Sequence, residues 1–236
     1  ALVTLVCIFA IIPYIGLQIK AISETFHLLS ESPQSDNIIQ DSATYVVVII
    51  ALFSSYYGTR YVDASEKRLG IVSAVAVESF LKLIFFIILG FYVVYGIFNG
   101  FGDLFSQASK LEDFAKKNTI NRLEGAFNWL FLLLLSASSI FLLPRQFHTS
   151  IIENRKEKHI KTAIWLFPLY LLLINVFVAP IAWGGRVLFE GMPINTEFLS
   201  ILIPQKMGNT IVATMVFFGG LSASISMIII SSIALS

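Results

Sequence analysis

The sequence predicts an all-α integral membrane protein, and three observations support this fold class. Of its 236 residues, 56% are hydrophobic and only 13% are charged, about half of the roughly 25% charged residues in an average soluble domain. Six apolar stretches reach or approach the roughly 20 residues that a helix needs to cross a bilayer. None alternates like a barrel strand, and a helix is the other structure that satisfies its backbone in lipid. Disorder, a nucleic-acid-binding surface and an ordinary soluble enzyme are excluded.

The six stretches predict six transmembrane helices within a single domain over residues 1–236. The second is short and is expected to extend into its flanks, whereas the third and sixth are long enough to tilt or to continue beyond the membrane. Apolar runs at both ends indicate a piece of a longer polypeptide, and a single cysteine excludes a disulfide framework. The predicted spans are residues 1–22, 44–58, 69–98, 126–144, 163–185 and 208–236.

The basic residues predict the orientation of these spans. Loop 59–68 contains three Lys and Arg residues and loop 145–162 contains five, while the other three loops, which are longer in total, contain six. Because short loops rich in Lys and Arg stay on the cytoplasmic side, both dense loops are expected in the cytoplasm. The acidic loop 23–41, which has no Lys or Arg, is then external.

The first span contains residues that are unusual inside a membrane. Pro13 removes a backbone hydrogen bond and can kink the helix, and Gln18 and Lys20 follow it. Two interpretations remain open. Gln18 and Lys20 line a cavity, or Lys20 lies near the helix end and extends its ammonium to the interface.

The third span carries two opposite charges, Glu78 and Lys82, four residues apart. This spacing places them on one helix face. Each charge costs roughly 2.5–3.5 kcal/mol at a helix centre on insertion scales, and pairing lowers that cost. The pattern favours a structural intramembrane ion pair over a proton relay.

The fourth span has three mid-span serines, Ser139 among them, and is followed by Pro144, Arg145 and Gln146 before an apolar pattern resumes. In transporters, interrupted helices expose backbone groups to substrates and ions. Alternatively, Pro144 simply ends the span at the cytoplasmic surface. The residues alone leave both interpretations open.

The sixth span carries small residues on one face. Gly219, Ser222, Ala223 and Ser226 recur at three- and four-residue spacing. Small residues allow helices to pack closely, and their carbonyls and hydroxyls also suit a hard monovalent cation. Spacing does not decide between these roles.

Catalytic patterns are absent from the sequence. The three histidines lie outside or at the edges of the apolar stretches and have no metal-binding spacing. There is no Gly-rich phosphate loop and no serine nucleophile elbow. The chain itself is therefore not expected to be an enzyme.

Four segments of the chain carry a family resemblance: PYIGLQIKAISETF, GTRYVDASEKRLGIVSAVAVES, LLPRQFHTSIIEN and FPLYLLLINVFVAPIAWGG. Together they resemble the sodium:solute symporter family, and most closely its branch fused to cytoplasmic sensor histidine kinases. The resemblance runs along essentially the whole chain, and L-P-R-Q-F-H and F-P-L-Y-L-L-L-I-N are typical of the kinase-fused branch. It implies about six helices of the LeuT-like inverted-repeat fold of sodium-coupled amino-acid transporters.

The resemblance also implies a sodium site on the sixth helix. The family's backbone carbonyl falls on Gly219 and its first hydroxyl on Ser222, but the second hydroxyl position is Ala223, which supplies no oxygen. Ser224 or Ser226 is the candidate replacement. Sodium is the only ion expected, with no other metal and no cofactor.

The substrate-facing residues follow from the family's broken helix, which the region around Pro144 resembles. Ser139, Pro144, Arg145 and Gln146 are the candidates there, and Gln18 is a further candidate on the helix packed against the cavity.

The function that the resemblance implies is cation-coupled uptake of a small solute, such as an amino acid, by alternating access. In the kinase-fused branch this module is the transport and sensory part of a two-component system in a bacterial inner membrane. Its partners are then the solute, the lipid bilayer and kinase domains in the same chain, and the parent protein is an enzyme. The alternatives are a transport-inactive solute sensor, for which Ala223 is the motivating residue, and a freestanding sodium/solute symporter.

Overall fold

The computed structural model describes residues 2–30, 42–59, 69–118, 123–143, 147, 151, 154 and 156–235. Within these ranges the chain is helical and contains no strand. A π-helical segment, Tyr92–Ile97, continues α3, and a short 3-10 helix, Thr196–Phe198, precedes α8. The α-helices are α1 (Leu2–Ser30), α2 (Ser42–Thr59), α3 (Leu69–Phe91), α4 (Phe101–Ala108), α5 (Glu112–Asn118), α6 (Leu123–Leu142), α7 (Glu157–Leu188), α8 (Leu199–Lys206) and α9 (Thr210–Leu235).

Four apolar helical segments among the described residues are long enough to cross a membrane. They are Leu5–Ser30, Ser73–Ile97, Glu157–Leu188 and Thr210–Ser232. This finding confirms the all-α class and supports a multi-pass membrane protein. The other two predicted spans contain shorter apolar helical segments, Thr44–Phe53 and Gly125–Ser139. The inverted-repeat arrangement and the single domain stay predictions.

The helices extend further than the hydropathy pattern alone predicts. The first predicted span ends at residue 22, but α1 continues to Ser30, and the hydroxyl of Thr25 donates to the Ala21 carbonyl at 2.6 Å. Likewise, α7 begins at Glu157, six residues before the predicted start of the fifth span. Hydropathy identifies only the residues that are apolar enough for lipid. The backbone hydrogen bonds of a helix can continue through polar residues on either side of such a stretch, so the helix is longer than the predicted span.

The described chain divides into two compact units. The first unit comprises Ala1–Phe86 and Ser200–Ser236. In it, α1, α2 and α9 pack against one another around three buried isoleucines, Ile22, Ile50 and Ile228. Each helix contributes one of these isoleucines, so the apolar core of this unit is built from residues far apart in the sequence.

The second unit, Ile87–Leu199, has a core in which α7 packs against the π-helical segment and α4. Val93, Val94 and Leu104 have no exposed surface. The absence of a side chain at Gly90 lets α3 and α7 pack closely, because a Cβ atom there would lie 2.2 Å from Cγ of Phe177. A side chain at position 90 would therefore displace the Phe177 ring.

The turn between the π-helical segment and α4 is stabilised by Asp103. Its Oδ2 accepts a hydrogen bond from the Asn99 backbone N–H at 3.0 Å, and its Oδ1 accepts one from the Gln107 side-chain amide at 2.9 Å. These two hydrogen bonds lower the pKa of Asp103, the backbone donor more than the amide. Gly100 precedes α4 with a φ of 107°, which other residues rarely adopt.

Candidate intramembrane polar site

Glu78 lies on α3 within an apolar membrane-length segment and is only 8% exposed. The Lys82 ammonium lies 3.4 Å from its Oε1 atom. Ser226 of α9 donates its hydroxyl to the other carboxylate oxygen, Oε2. Both oxygens of the buried carboxylate therefore have a partner, as a charge removed from water requires.

The predicted small-residue face of α9 is turned towards this pair. Ser226 contacts Glu78, and a Cβ atom on Gly219 would lie 3.2 Å from Cδ2 of Phe85. The contacts pair residue 226 with 78 and residue 219 with 85, seven residues apart on each helix, so α3 and α9 run antiparallel. The same register places Lys82 at the level of Ser222. The structure thus brings together two candidate sites that the sequence presented separately.

Ser224 lies on a different face of α9. It is buried and donates a hydrogen bond to Oε1 of Gln18 on α1 at 2.9 Å. Because successive residues of an α-helix are rotated by about 100°, the two residues from Ser224 to Ser226 correspond to roughly 200°. Ser224 therefore ties α9 to α1, and of the two candidate replacements for the Ala223 oxygen only Ser226 faces α3.

A cavity of about 210 Å³ adjoins the pair on the same side of α9. Its walls are mostly apolar, and Lys82 is the one charged residue among the described residues that line it. The Lys82 side chain is 29% exposed, whereas that of Glu78 is 9% exposed. The ammonium is therefore the accessible end of the ion pair. The lining residues are Thr25, Lys82, Phe85, Phe86, Ser200, Ile201, Val216, Phe217, Gly219 and Gly220.

The structure describes only one of the predicted substrate-facing residues of the fourth span. Ser139 lies on α6, in the second unit, and donates its hydroxyl to the Ser136 carbonyl at 2.7 Å. Pro144, Arg145 and Gln146 lie outside the described residues. Helix α6 ends at Leu142, two residues before the proline.

The sequence did not reveal a second cavity, which lies in the second unit and has a volume of about 380 Å³. In its wall, Arg186 Nη2 lies 3.0 Å from Asp113 Oδ2, and the Arg186 guanidinium lies 5.5 Å from the centre of the Trp183 ring. Arg186 entered the sequence argument only as one of the basic loop residues, and Asp113 was not singled out. Seventy-three positions separate Asp113 from Arg186, so no local spacing pattern relates them.

The oxygens of the α9 face fit a cation only in part. Among the described residues, no group of three or more His, Cys, Asp or Glu residues is placed to hold a metal ion. Carbonyl, hydroxyl and carboxylate oxygens suit hard cations, and Gly219, Ser222, Ser226 and Glu78 supply these types. However, α9 is a continuous helix, so the Gly219 carbonyl also serves the helix itself, and Ala223 adds no oxygen.

Comparison of the chain with protein-family models, curated proteins and solved structures gives no match. The resemblance to sodium:solute symporters therefore stays a prediction from the sequence.

Proposed function

We propose that the chain is a secondary-transport module of the sodium:solute symporter type, which moves a small solute across the membrane by alternating access. One observation carries the proposal: a buried carboxylate, an ammonium and a hydroxyl meet between two helices that are otherwise apolar enough for a bilayer. Ionisable residues are expensive inside a membrane, and they mark ion or substrate pathways.

In this proposal the coupling ion binds on the α9 face formed by Gly219, Ser222 and Ser226. Glu78 provides the formal negative charge beside that face, because its Oε2 atom already accepts the Ser226 hydroxyl. A monovalent cation and the Lys82 ammonium then share one carboxylate. Binding of the cation weakens the Glu78–Lys82 attraction and leaves the ammonium more available to a solute.

The second candidate function is a solute sensor that has lost coupled transport, with a sensor histidine kinase in the same polypeptide. Two features favour it. Ala223 contributes no side-chain oxygen to the α9 face, and the Lys82 ammonium lies 3.4 Å from Oε1 of Glu78. A tethered ammonium neutralises Glu78 without any dissolved cation, so conformational change would not require an ion gradient.

The proposal places the chain in a bacterial inner membrane, with loops 59–68 and 145–162 on the cytoplasmic side. The density of Lys and Arg residues in those loops supports the orientation. Labelling of single cysteines introduced into each loop of a Cys7→Ser background tests this orientation, because a membrane-impermeant maleimide reaches only the external side of intact cells.

Counterflow in proteoliposomes tests the transport function. Vesicles containing the purified chain are loaded with an unlabelled mixture of amino acids and small monocarboxylates, and entry of the same mixture, labelled with ¹⁴C, is followed with and without an inward sodium gradient. Accumulation that depends on sodium supports symport. Exchange that ignores sodium contradicts sodium coupling, and the absence of any exchange supports the sensor.

A further inference from the structure

The cavity beside Lys82 has the chemistry of a binding site for a small organic anion. We propose that it binds the carboxylate of a small apolar monocarboxylate, and that the Lys82 ammonium is the group that recognises it. This inference rests on the proposed transport function, which it extends by naming the class of solute.

The ammonium of Lys82 has capacity for a second partner. An ammonium has three hydrogen-bond donors, and Oε1 of Glu78 lies 3.4 Å from the nitrogen. Ser226 holds the opposite carboxylate oxygen, so Glu78 keeps a hydrogen bond when Lys82 turns towards the cavity. The Lys82 side chain lines the cavity and is 29% exposed.

The walls of the cavity favour an apolar body on the solute. Three phenylalanine rings, Phe85, Phe86 and Phe217, line it, while Thr25 and Ser200 contribute the hydroxyls. No acidic residue is among the described lining residues, so the ammonium of an α-amino acid finds no counter-charge in the wall. The cavity therefore favours a plain monocarboxylate over a zwitterion.

The volume restricts the solute to a small molecule. The cavity volume is about 210 Å³. This space suits a short branched or aromatic acid and is smaller than the usual range for drug-sized ligands, about 300–1,000 Å³.

Charge balance links this site to the proposed cation site. The Glu78–Lys82 pair is neutral, so a bound carboxylate leaves one net negative charge in surroundings of low dielectric constant. A monovalent cation on the adjacent α9 face removes that charge. Each ligand therefore favours binding of the other, and by linkage the enhancement is the same in both directions.

Gly220 allows the cavity to be blocked without changing any charge. A Cβ atom at this position has no atom within 4 Å, whereas one at Gly219 would lie 3.2 Å from the Phe85 ring. Gly220 lines the cavity, so a leucine at this position adds a bulky side chain at the cavity wall with little conflict with the packing of α9. Gly70 on α3 also has nothing within 4 Å and does not line the cavity, so Gly70→Leu is the matched control.

Binding of phenylacetate to the purified chain in detergent tests the proposal. Phenylacetamide, which has nearly the same shape but no charge, is the matched ligand, and phenylalanine represents the zwitterion. The measurements are the ligand-dependent rise in melting temperature and isothermal calorimetry at constant sodium concentration. Phenylacetate is expected to bind at least tenfold more tightly than phenylacetamide or phenylalanine.

Four variants locate the site. The double variant Glu78→Gln/Lys82→Met, which removes both charges together, should weaken phenylacetate binding by tenfold to a hundredfold, roughly the effect of losing a charge-assisted hydrogen bond. Gly220→Leu, which fills space at the cavity wall, should weaken binding by a similar factor. Gly70→Leu should bind within about threefold of the original chain, and Lys82→Arg, which keeps the positive charge, should bind more tightly than the double variant. Circular dichroism of every variant checks that the helices are retained, and Gly220→Leu still tests the cavity if the double variant misfolds.

Equal affinity for phenylacetate and phenylacetamide overturns the proposal, as does undiminished phenylacetate binding to Gly220→Leu. Tighter binding of phenylalanine than of phenylacetate also overturns it, because the cavity then selects zwitterions. This equilibrium measurement is independent of transport. Phenylacetate binding without counterflow contradicts the transport function alone, and counterflow without phenylacetate binding contradicts the assigned solute alone.

Discussion

Ser226 on α9 donates its hydroxyl to the buried carboxylate of Glu78 on α3, although 148 positions separate the two residues. Lys82 approaches the other oxygen of the same carboxylate. Two helices long and apolar enough to cross a bilayer are thus linked through a charged group. A purely structural contact between such helices requires no charge, and this is why the cluster is the centre of the proposed function.

Loss of the Ser226 hydroxyl is expected to destabilise the first unit. In Ser226→Ala, Oε2 of Glu78 loses its donor while remaining buried, which should lower the free energy of unfolding by about 1.5–3 kcal/mol. Ser232→Ala is the matched control, because the Ser232 hydroxyl donates to the Ile228 carbonyl of its own helix. Chemical unfolding in detergent measures the free energy of unfolding of both variants. Equal stability of the two variants would contradict the hydrogen bond from Ser226 to Glu78.

Restoring a hydroxyl at position 223 is expected to strengthen sodium dependence. Ala223 shares the α9 face with Gly219 and Ser226, and threonine there adds one oxygen beside Ser222. In Ala223→Thr, the sodium concentration that gives half-maximal counterflow of the labelled solute mixture should fall several-fold. Ala223→Val, which has nearly the same shape without the oxygen, is the control. If threonine and valine behave alike, residue 223 does not contact the ion.

A methyl group at Gly90 is expected to destabilise the second unit. Its Cβ atom would overlap the Phe177 ring at 2.2 Å, and overpacking of this kind costs about 1–3 kcal/mol. Gly102→Ala on α4 is the control, since a Cβ atom there meets nothing within 4 Å. The melting temperature of Gly90→Ala should fall relative to both the original chain and the control. An unchanged melting temperature would mean that α7 does not pack against α3 at this position.

The turn before α4 is expected to weaken in acid. The pKa of Asp103 is lowered in the folded chain, because the Asn99 backbone N–H and the Gln107 amide favour the charged carboxylate. Its stabilising effect is therefore complete above the unfolded pKa of about 3.9 and is lost as the pH falls through the lower folded pKa.

Hydrogen exchange of the amides in residues 99–108 measures this effect. Protection is expected to decline in acid in the original chain, after correction for the intrinsic pH dependence of exchange. In Asp103→Asn, protection should be lower at neutral pH and should show no such decline. An acid-dependent decline of the same size in Asp103→Asn would assign it to another group.

The helices were largely predictable because hydropathy and helical spacing are local properties. All six predicted spans overlap helices, and the four-residue spacing of Glu78 and Lys82 alone placed the two charges on one face. The small-residue face of α9 was also visible as a pattern. The ends of the helices were less predictable, as the extension of α1 to Ser30 shows, since backbone hydrogen bonding does not stop where hydropathy falls.

What the sequence could not predict is which faces meet. Helical spacing placed Ser226, and not Ser224, on the small-residue face, but it could not show that Ser226 bonds Glu78 and Ser224 bonds Gln18. This choice depends on the rotation of α9 between α1 and α3, which follows from packing of the whole unit. The contact between Asp113 and Arg186 has the same origin. Such contacts leave no periodic signal in a single sequence.

The most direct test of the central claim is counterflow of the ¹⁴C-labelled mixture by the Glu78→Gln/Lys82→Met variant, compared with the original chain in matched proteoliposomes. The variant replaces the ion pair by residues of similar size, so helix content and the amount reconstituted should stay the same. We expect exchange in the original chain and at least a tenfold lower rate in the variant. An undiminished rate in a folded variant would contradict the assignment of transport to the Glu78–Lys82–Ser226 cluster.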